Sequence, residues 1–175
     1  HLVVVKSTVT PGTTVNLVKP LLENISGKIC GVDFGIYSNP EFLSEGSSIS
    51  DMERPDRLVI GPYDEKSRDI LMKLYSIFYK NQHLSVLVTS PSTSELVKYA
   101  SNAFLATKIS FINTIANICS KIPDTNVTEV AKGMGMDHRI SDKFLQAGLG
   151  YGGSCFQKDL NALRKFSLEF GYDPI

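Results

Sequence analysis

From Ser92 to Lys121 the chain contains neither proline nor glycine. Those two residues interrupt helices, one by removing a backbone donor and the other by loosening the backbone. Their absence predicts one helix of roughly seven to eight turns at 3.6 residues each. Pro91-Ser92-Thr93-Ser94-Glu95 is its start signal, with Ser92 as N-cap and Glu95 three residues on completing a capping box. Ala103, Phe104, Ala106, Phe111, Ile112, Ile115, Ala116, Ile118 and Cys119 cover more than one narrow stripe, which predicts a helix buried on several sides.

Before that helix the pattern alternates. Leu2 to Lys6 reads as a buried parallel strand closed by Ser7-Thr8, and a helix follows from Pro11-Gly12-Thr13-Thr14 to about Leu22. Asp33 to Ser38 is a short strand ended by Asn39-Pro40, and Arg57 to Ile60 is another extended segment. Asp64 to Tyr79 has helical spacing at Ile70, Leu71, Leu74, Ile77 and Phe78, and Leu84 to Thr89 is a last strand. Such alternation predicts an α/β fold with a parallel sheet and right-handed crossovers. Ligands then sit beyond the carboxyl ends of strands, where Ser7-Thr8 and Asn39 to Glu45 lie. After the long helix, Asp124 to Lys132 reads as a short helix stopped by Gly133 and Gly135, and Phe156 to Phe170 as the last, stopped by Gly171.

Composition excludes several classes. Lys plus Arg and Asp plus Glu are both 18, so no basic field recruits nucleic acid. No apolar run is long enough to cross a bilayer. Cys30, Cys119 and Cys155 are odd in number and widely spaced, which argues against a disulfide framework and for a reducing cytoplasm. No Cys or His spacing suggests a zinc site, and His1, His83 and His138 are scattered surface or loop residues.

Chemistry concentrates in Gly150-Tyr151-Gly152-Gly153-Ser154-Cys155-Phe156-Gln157-Lys158-Asp159. Glycines let the backbone bend and approach a ligand, and a thiol sits at the turn. If Cys155 lies near a helix start, Lys158 and Asp159 fall on its side of that helix, one turn on. The helix N-terminus and a lysine favour the thiolate, so the segment suits a cysteine nucleophile with an acid/base partner. It equally suits a glycine turn before an amphipathic helix with a small buried cysteine. Lys98 and Asn102, at i and i+4, share a face of the long helix, as catalytic groups or as ordinary solvated residues.

The cysteine segment resembles the catalytic-cysteine motif of the UDP-glucose/GDP-mannose dehydrogenase family. Ser38-Asn39-Pro40-Glu41-Phe42-Leu43-Ser44-Glu45-Gly46 resembles its substrate-binding loop, and Ser94 to Phe104 the start of its long central helix. Lys6-Ser7-Thr8-Val9 resembles a strand end in its first domain, and Gly135-Met136-Asp137-His138-Arg139-Ile140 a substrate-side segment. These ordered blocks span nearly the whole chain. The resemblance implies the end of a Rossmann-like, NAD-binding parallel sheet over residues 1–90. A helical dimerisation and catalytic-cysteine domain follows over 91–175. It also implies a homodimer through the long helix, with a central helix of a monomeric bundle as the alternative. The chain opens inside an apolar run and holds no Gly-x-Gly-x-x-Gly after a strand. It therefore reads as the middle of a longer enzyme, without the glycine-rich motif or the C-terminal UDP-binding domain.

Carried onto these positions, the resemblance makes Cys155 the nucleophile, Lys98 the alkoxide holder and Asp159 the acid/base carboxylate. Glu41, Thr8 and Asn102 orient a water. Phe42, Leu43, Arg139, Phe144, Leu145, Tyr151 and Gly152 become substrate contacts, Arg139 reaching the neighbouring subunit's nucleotide sugar or standing as an ordinary surface arginine. Ser7, Thr8, Glu45, Cys155 and Lys158 become contacts to NAD. Cys30 and Cys119 match no motif and read as small buried hydrophobes. The implied reaction oxidises the C6 alcohol of a nucleotide sugar in two hydride transfers through a thiohemiacetal and a thioester on Cys155. Glu45-Gly46 and Phe156 look more like UDP-glucose members than GDP-mannose or UDP-N-acetyl-sugar members. Two positions depart from common patterns: Gln157 stands where many bacterial members have proline, and Gln146 where some have a lysine. A non-catalytic dimerisation module of the same fold is the rival reading.

Overall fold

A computed structural model describes residues 1–80 and 82–173. Two compact units divide at Tyr99 and Ala100. The first holds β1 (Leu2–Val5), α1 (Lys19–Ser26), β2 (Gly35–Ser38), α2 (Ser48–Glu53), β3 (Arg57–Pro62), α3 (Glu65–Phe78), β4 (Ser85–Val88) and the start of α4 (Pro91–Cys119). The second holds the rest of α4, then α5 (Val127–Gly135) and α6 (Ser154–Leu168).

The strands lie in the order β1-β2-β3-β4. β1 and β2 are parallel, as are β3 and β4, but β2 and β3 run antiparallel. A wholly parallel sheet is therefore not formed. A parallel return needs a crossover spanning the sheet. The β2–β3 link carries only the six-residue α2, which sequence reading did not anticipate. This antiparallel join has a useful consequence. Val5 stands opposite Ser38, Ser38 opposite Gly61, and Ile60 opposite Val88. The carboxyl ends of all four strands thus meet at one seam.

Helices cover both faces, because successive strand side chains point to opposite sides. Tyr37, Leu58 and Ile60 pack with Leu71 of α3, while Cys30, Phe34 and Ile36 pack with Val18 and Leu22. β1, the outermost strand of the order, is only partly covered, so the expectation of a buried strand fails there. α1 also differs from expectation. A π-helical turn at Thr14–Val18 precedes it, and it runs on to Ser26. Pro20 has no N–H to close an ordinary turn onto Asn16, and the wider turn accommodates that loss.

The start of α4 corrects another expectation. The Ser90 hydroxyl oxygen, not Ser92, accepts the Thr93 amide at 3.2 Å. Glu95 does not close a capping box either. Its buried carboxylate accepts from Gly12 N (2.6 Å), Thr14 N (2.9 Å) and Thr14 Oγ1 (2.5 Å). It thereby satisfies the free first-turn amides and the positive end of the preceding helical segment. Further along, Tyr99, Ala106 and Ile112 are buried, but Phe104, Phe111 and Ile118 are exposed at seven-residue intervals. α4 therefore buries one face rather than several sides. In the second unit, α5 continues through Gly133, and α6 begins at Ser154, two residues before the expected start. Among the described residues no helix is long and apolar enough to cross a membrane.

Gly61 sets how closely α4 approaches the sheet. A Cβ there would lie 2.6 Å from Pro91 Cα and 2.8 Å from the Ser90 carbonyl oxygen. Gly61→Ala is expected to destabilise the chain by about 1–3 kcal/mol, the usual range for overpacking. Gly133, inside α5, has nothing within 4 Å of such a Cβ. Gly133→Ala should stabilise by about 0.5–1 kcal/mol, by restricting the unfolded backbone. Urea unfolding of both variants checks the contrast.

Candidate active site

The seam of strand ends is tied by Asn39, the first residue beyond β2. It is fully buried. Its amide N–H donates to Val5 O at 2.9 Å, and its Nδ2 donates to Val59 O at 2.8 Å. Its Oδ1 accepts from Lys6 Nζ at 3.1 Å and from the Tyr75 hydroxyl. Burial raises the Tyr75 pKa to about 12, so that hydroxyl stays a donor. Proline follows, fixing the direction in which the chain leaves.

That turn delivers Glu41. Its Oε2 accepts from the Leu43 amide at 2.8 Å and from Lys98 Nζ at 3.3 Å. Lys98 lies on α4 and is 5% exposed, and Asn102, one turn on, is 7% exposed. Neither is a solvated surface residue. A buried ammonium needs a partner, and Glu41 supplies one. Lys98 Nζ also stands 5.5 Å from the centre of the Phe42 ring, with the Arg57 guanidinium 4.0 Å from it. Cations over an aromatic face gain from the ring quadrupole. Thr8 is partly buried beyond β1, while Ser7, Leu43 and Glu45 are exposed. Asp51 of α2, missed in the sequence, orders the rest of the loop by accepting from Ser44 N at 2.7 Å and Ser47 Oγ at 3.0 Å. The Ser44 bond holds its pKa below the usual carboxylate range.

In the second unit, Asp159 is 2% exposed. Asn102 Nδ2 donates to its Oδ2 at 2.6 Å, and Lys158 Nζ lies 2.9 Å from its Oδ1. Cys155 is the second residue of α6 and is exposed, not a buried filler. Gly153 is the N-cap at φ 77°, a left-handed conformation glycine adopts without strain. Having no side chain, it leaves the first-turn amides open beside the thiol. Phe156, next in sequence, packs edge-on to Tyr151 at 5.6 Å and against Phe144 at 6.5 Å. Phe144 itself adopts φ 64°, rare for a bulky residue. Leu145 is buried and Gly152 exposed.

Two α4 residues that sequence reading passed over hold these loops. Lys108 Nζ donates to Ile140 O at 2.9 Å, and Asn113 Oδ1 accepts from Gly148 N at 2.9 Å. Both sit on the helix the sequence predicted, but no local pattern names their partners. Arg139 is exposed and held by its own turn, with Nη2 2.6 Å from Asp137 Oδ2. That guanidinium keeps the Asp137 carboxyl below its ordinary pKa. Of the other thiols, Cys30 is buried and Cys119 only half-buried.

Residues 1–79 match the NAD binding domain of the UDP-glucose/GDP-mannose dehydrogenase family, and residues 92–175 match its central domain. A UDP-glucose 6-dehydrogenase of Rickettsia conorii is 49% identical over 162 residues, covering 93% of this chain and 35% of that protein. A solved UDP-glucose dehydrogenase from Pyrobaculum islandicum is 45% identical with a TM-score of 0.88, over 99% of this chain and 38% of that one. A GDP-mannose dehydrogenase from Pseudomonas aeruginosa is 37% identical with a TM-score of 0.73, over 98% and 38% respectively. The chain thus spans little more than a third of the length of these relatives.

The Asn102–Asp159 bond is buried, so its loss strands a carboxylate oxygen. Asn102→Ala should lower unfolding stability by about 2 kcal/mol. Arg139→Ala, which breaks an exposed pair, should leave the urea midpoint nearly unchanged.

Proposed function

The chain belongs to the UDP-glucose/GDP-mannose dehydrogenase family, and we propose that it carries the chemical centre of a UDP-glucose 6-dehydrogenase. In this reading residues 1–90 serve NAD and residues 91–175 supply the cysteine and a homodimer interface. The observation that carries it is Cys155, exposed at the open start of α6, one turn before a buried Asp159 fixed by Asn102.

NAD is the cofactor of the matched first domain. In this proposal Ser7, Thr8, Glu45, Cys155 and Lys158 are the contacts to NAD; Ser7 and Thr8 offer hydroxyls and Glu45 an exposed carboxylate, groups that suit the hydroxyls of a ribose. NAD, when bound, would accept the hydride whose loss leaves C6 as an aldehyde, and a second NAD would accept the other. The chain's own residues do the rest. Lys98 holds the C6 oxygen as its proton leaves, and Asp159 or its water takes that proton. Cys155 sulfur bonds to the aldehyde carbon and gives a thiohemiacetal. Loss of the second hydride from that carbon leaves a thioester. Glu41, Thr8, Asn102 and Asp159 orient a water onto it. The C–S bond breaks, the cysteine returns, and the acid is released. Without the cysteine the aldehyde has no hydroxyl from which a second oxidation can start.

Phe42, Leu43, Phe144, Leu145, Tyr151 and Gly152 form the sugar-nucleotide contacts in this proposal, and Arg139 serves the neighbouring subunit. The exposed Phe104, Phe111 and Ile118 on α4 support a second copy as partner. The free, separated cysteines support a cytoplasmic location. The likeness to a GDP-mannose dehydrogenase supports that substrate as the alternative.

The whole protein, given NAD and UDP-glucose, is expected to release two NADH per sugar. Two with GDP-mannose instead would keep the mechanism and change the substrate. One or none with either sugar would overturn the cysteine chemistry, as would full turnover by Cys155→Ser. Iodoacetamide should label Cys155 well before Cys30, whose thiol is buried and pushed up in pKa by that burial.

A further inference from the structure

We propose that Lys6 is a positioning residue for Glu41, locking the Asn39-Pro40-Glu41 turn from the β1 side and sharing with Lys98 the task of setting the carboxylate. This rests on the reading of Glu41 as the group that orients the hydrolytic water.

Lys6 is the first residue past β1. The residue is exposed overall, yet its ammonium reaches the buried Asn39 Oδ1 at 3.1 Å. That end is desolvated enough to lower its pKa, and the opposing influence is the Glu41 carboxylate. Glu41 itself is paired with the Lys98 ammonium at 3.3 Å, so Lys6 acts on it through Asn39 and the turn. The link between Lys6 and Glu41 is short and stiff. Asn39 is held by backbone and side chain to Val5, Val59 and Tyr75, and one proline separates it from Glu41.

Folding alone does not call for a charge here. The Tyr75 hydroxyl already donates to the same Asn39 oxygen. A neutral donor satisfies an amide oxygen without the penalty of desolvating an ammonium. What the ammonium adds is a charge-assisted bond to Asn39, two residues before Glu41, which stiffens the turn that aims the carboxylate.

The test uses the whole protein with NAD and its sugar, comparing Lys6→Gln, Lys6→Arg, Glu41→Gln and the double variant Lys6→Gln/Glu41→Gln. Lys6→Gln keeps a donor to Asn39 while removing the charge, so the fold is retained; thermal unfolding verifies this. Its kcat should fall about tenfold, the effect of one charge-assisted bond, with KM within about twofold. Lys6→Arg should recover most of the rate. In the Glu41→Gln background the Lys6 change should matter less than about twofold, because the group it positions is gone. An equal fold loss in both backgrounds, a loss confined to KM, or no loss would overturn the proposal. Loss in Glu41→Gln with a silent Lys6→Gln would sink the Lys6 assignment alone. Wild-type turnover by Glu41→Gln would sink the Glu41 reading, and this proposal with it.

Discussion

A single buried amide holds the first unit in register. Asn39 meets β1 through Val5 and Lys6, β3 through Val59, and α3 through Tyr75. Such a residue is stable inside only if its polar groups find partners, and here its amide N–H, Nδ2 and Oδ1 each have one. Satisfying them fixes where two parallel strand pairs meet, since the direct β2–β3 pairing covers only Tyr37–Pro62 and Ser38–Gly61. A seam with so little ladder needs side-chain bonds to define it. The same residue then launches the turn that carries Glu41, so the structural tie and the candidate chemistry share one anchor.

α4 is the second organising element, and its opening turns are unusually polar for a buried face. Ser94, Glu95, Lys98 and Asn102 are each less than a tenth exposed. Each has a partner: Ser38, the Gly12–Thr14 backbone, Glu41 and Asp159 respectively. Burying charge is tolerated because Lys98 is paired with Glu41 and the Glu95 carboxylate accepts three hydrogen bonds. Beyond Asn102 the buried face turns apolar at Ala106 and Ile112. The helix thus changes from a holder of polar groups to a packing element along its length.

Much of this was legible beforehand. The absence of proline and glycine from Ser92 to Lys121 gave the long helix, and the strand–helix alternation gave the first unit's strands and its two longer helices. Lys98, Asn102, Glu41, Cys155 and Asp159 were marked by resemblance, and the structure pairs Lys98 with Glu41 and Asn102 with Asp159. The misses have identifiable causes. Ser92 and Glu95 fit the capping-box spacing, but Ser90 was nearer the true start and Glu95 had a stronger partner in the Gly12–Thr14 amides. Gly133 reads as a stop, yet a single glycine costs a helix only about 1 kcal/mol, too little by itself to end it. α2 was missed because a helix of six residues leaves little periodicity to detect.

The sequence by itself determined what depends on neighbours along the chain: helix against strand, the open glycine start of α6, and Asp159 one turn after Cys155. Those follow from local backbone preference and the 3.6-residue turn. Only the tertiary structure decided that β2 and β3 meet antiparallel, that Lys98 is buried on Glu41, and that Glu95 closes a helix start far away. These pairings join residues 57 and 83 positions apart. Long-range partners are chosen by which polar groups must be satisfied when the apolar faces close, and no local spacing encodes that choice.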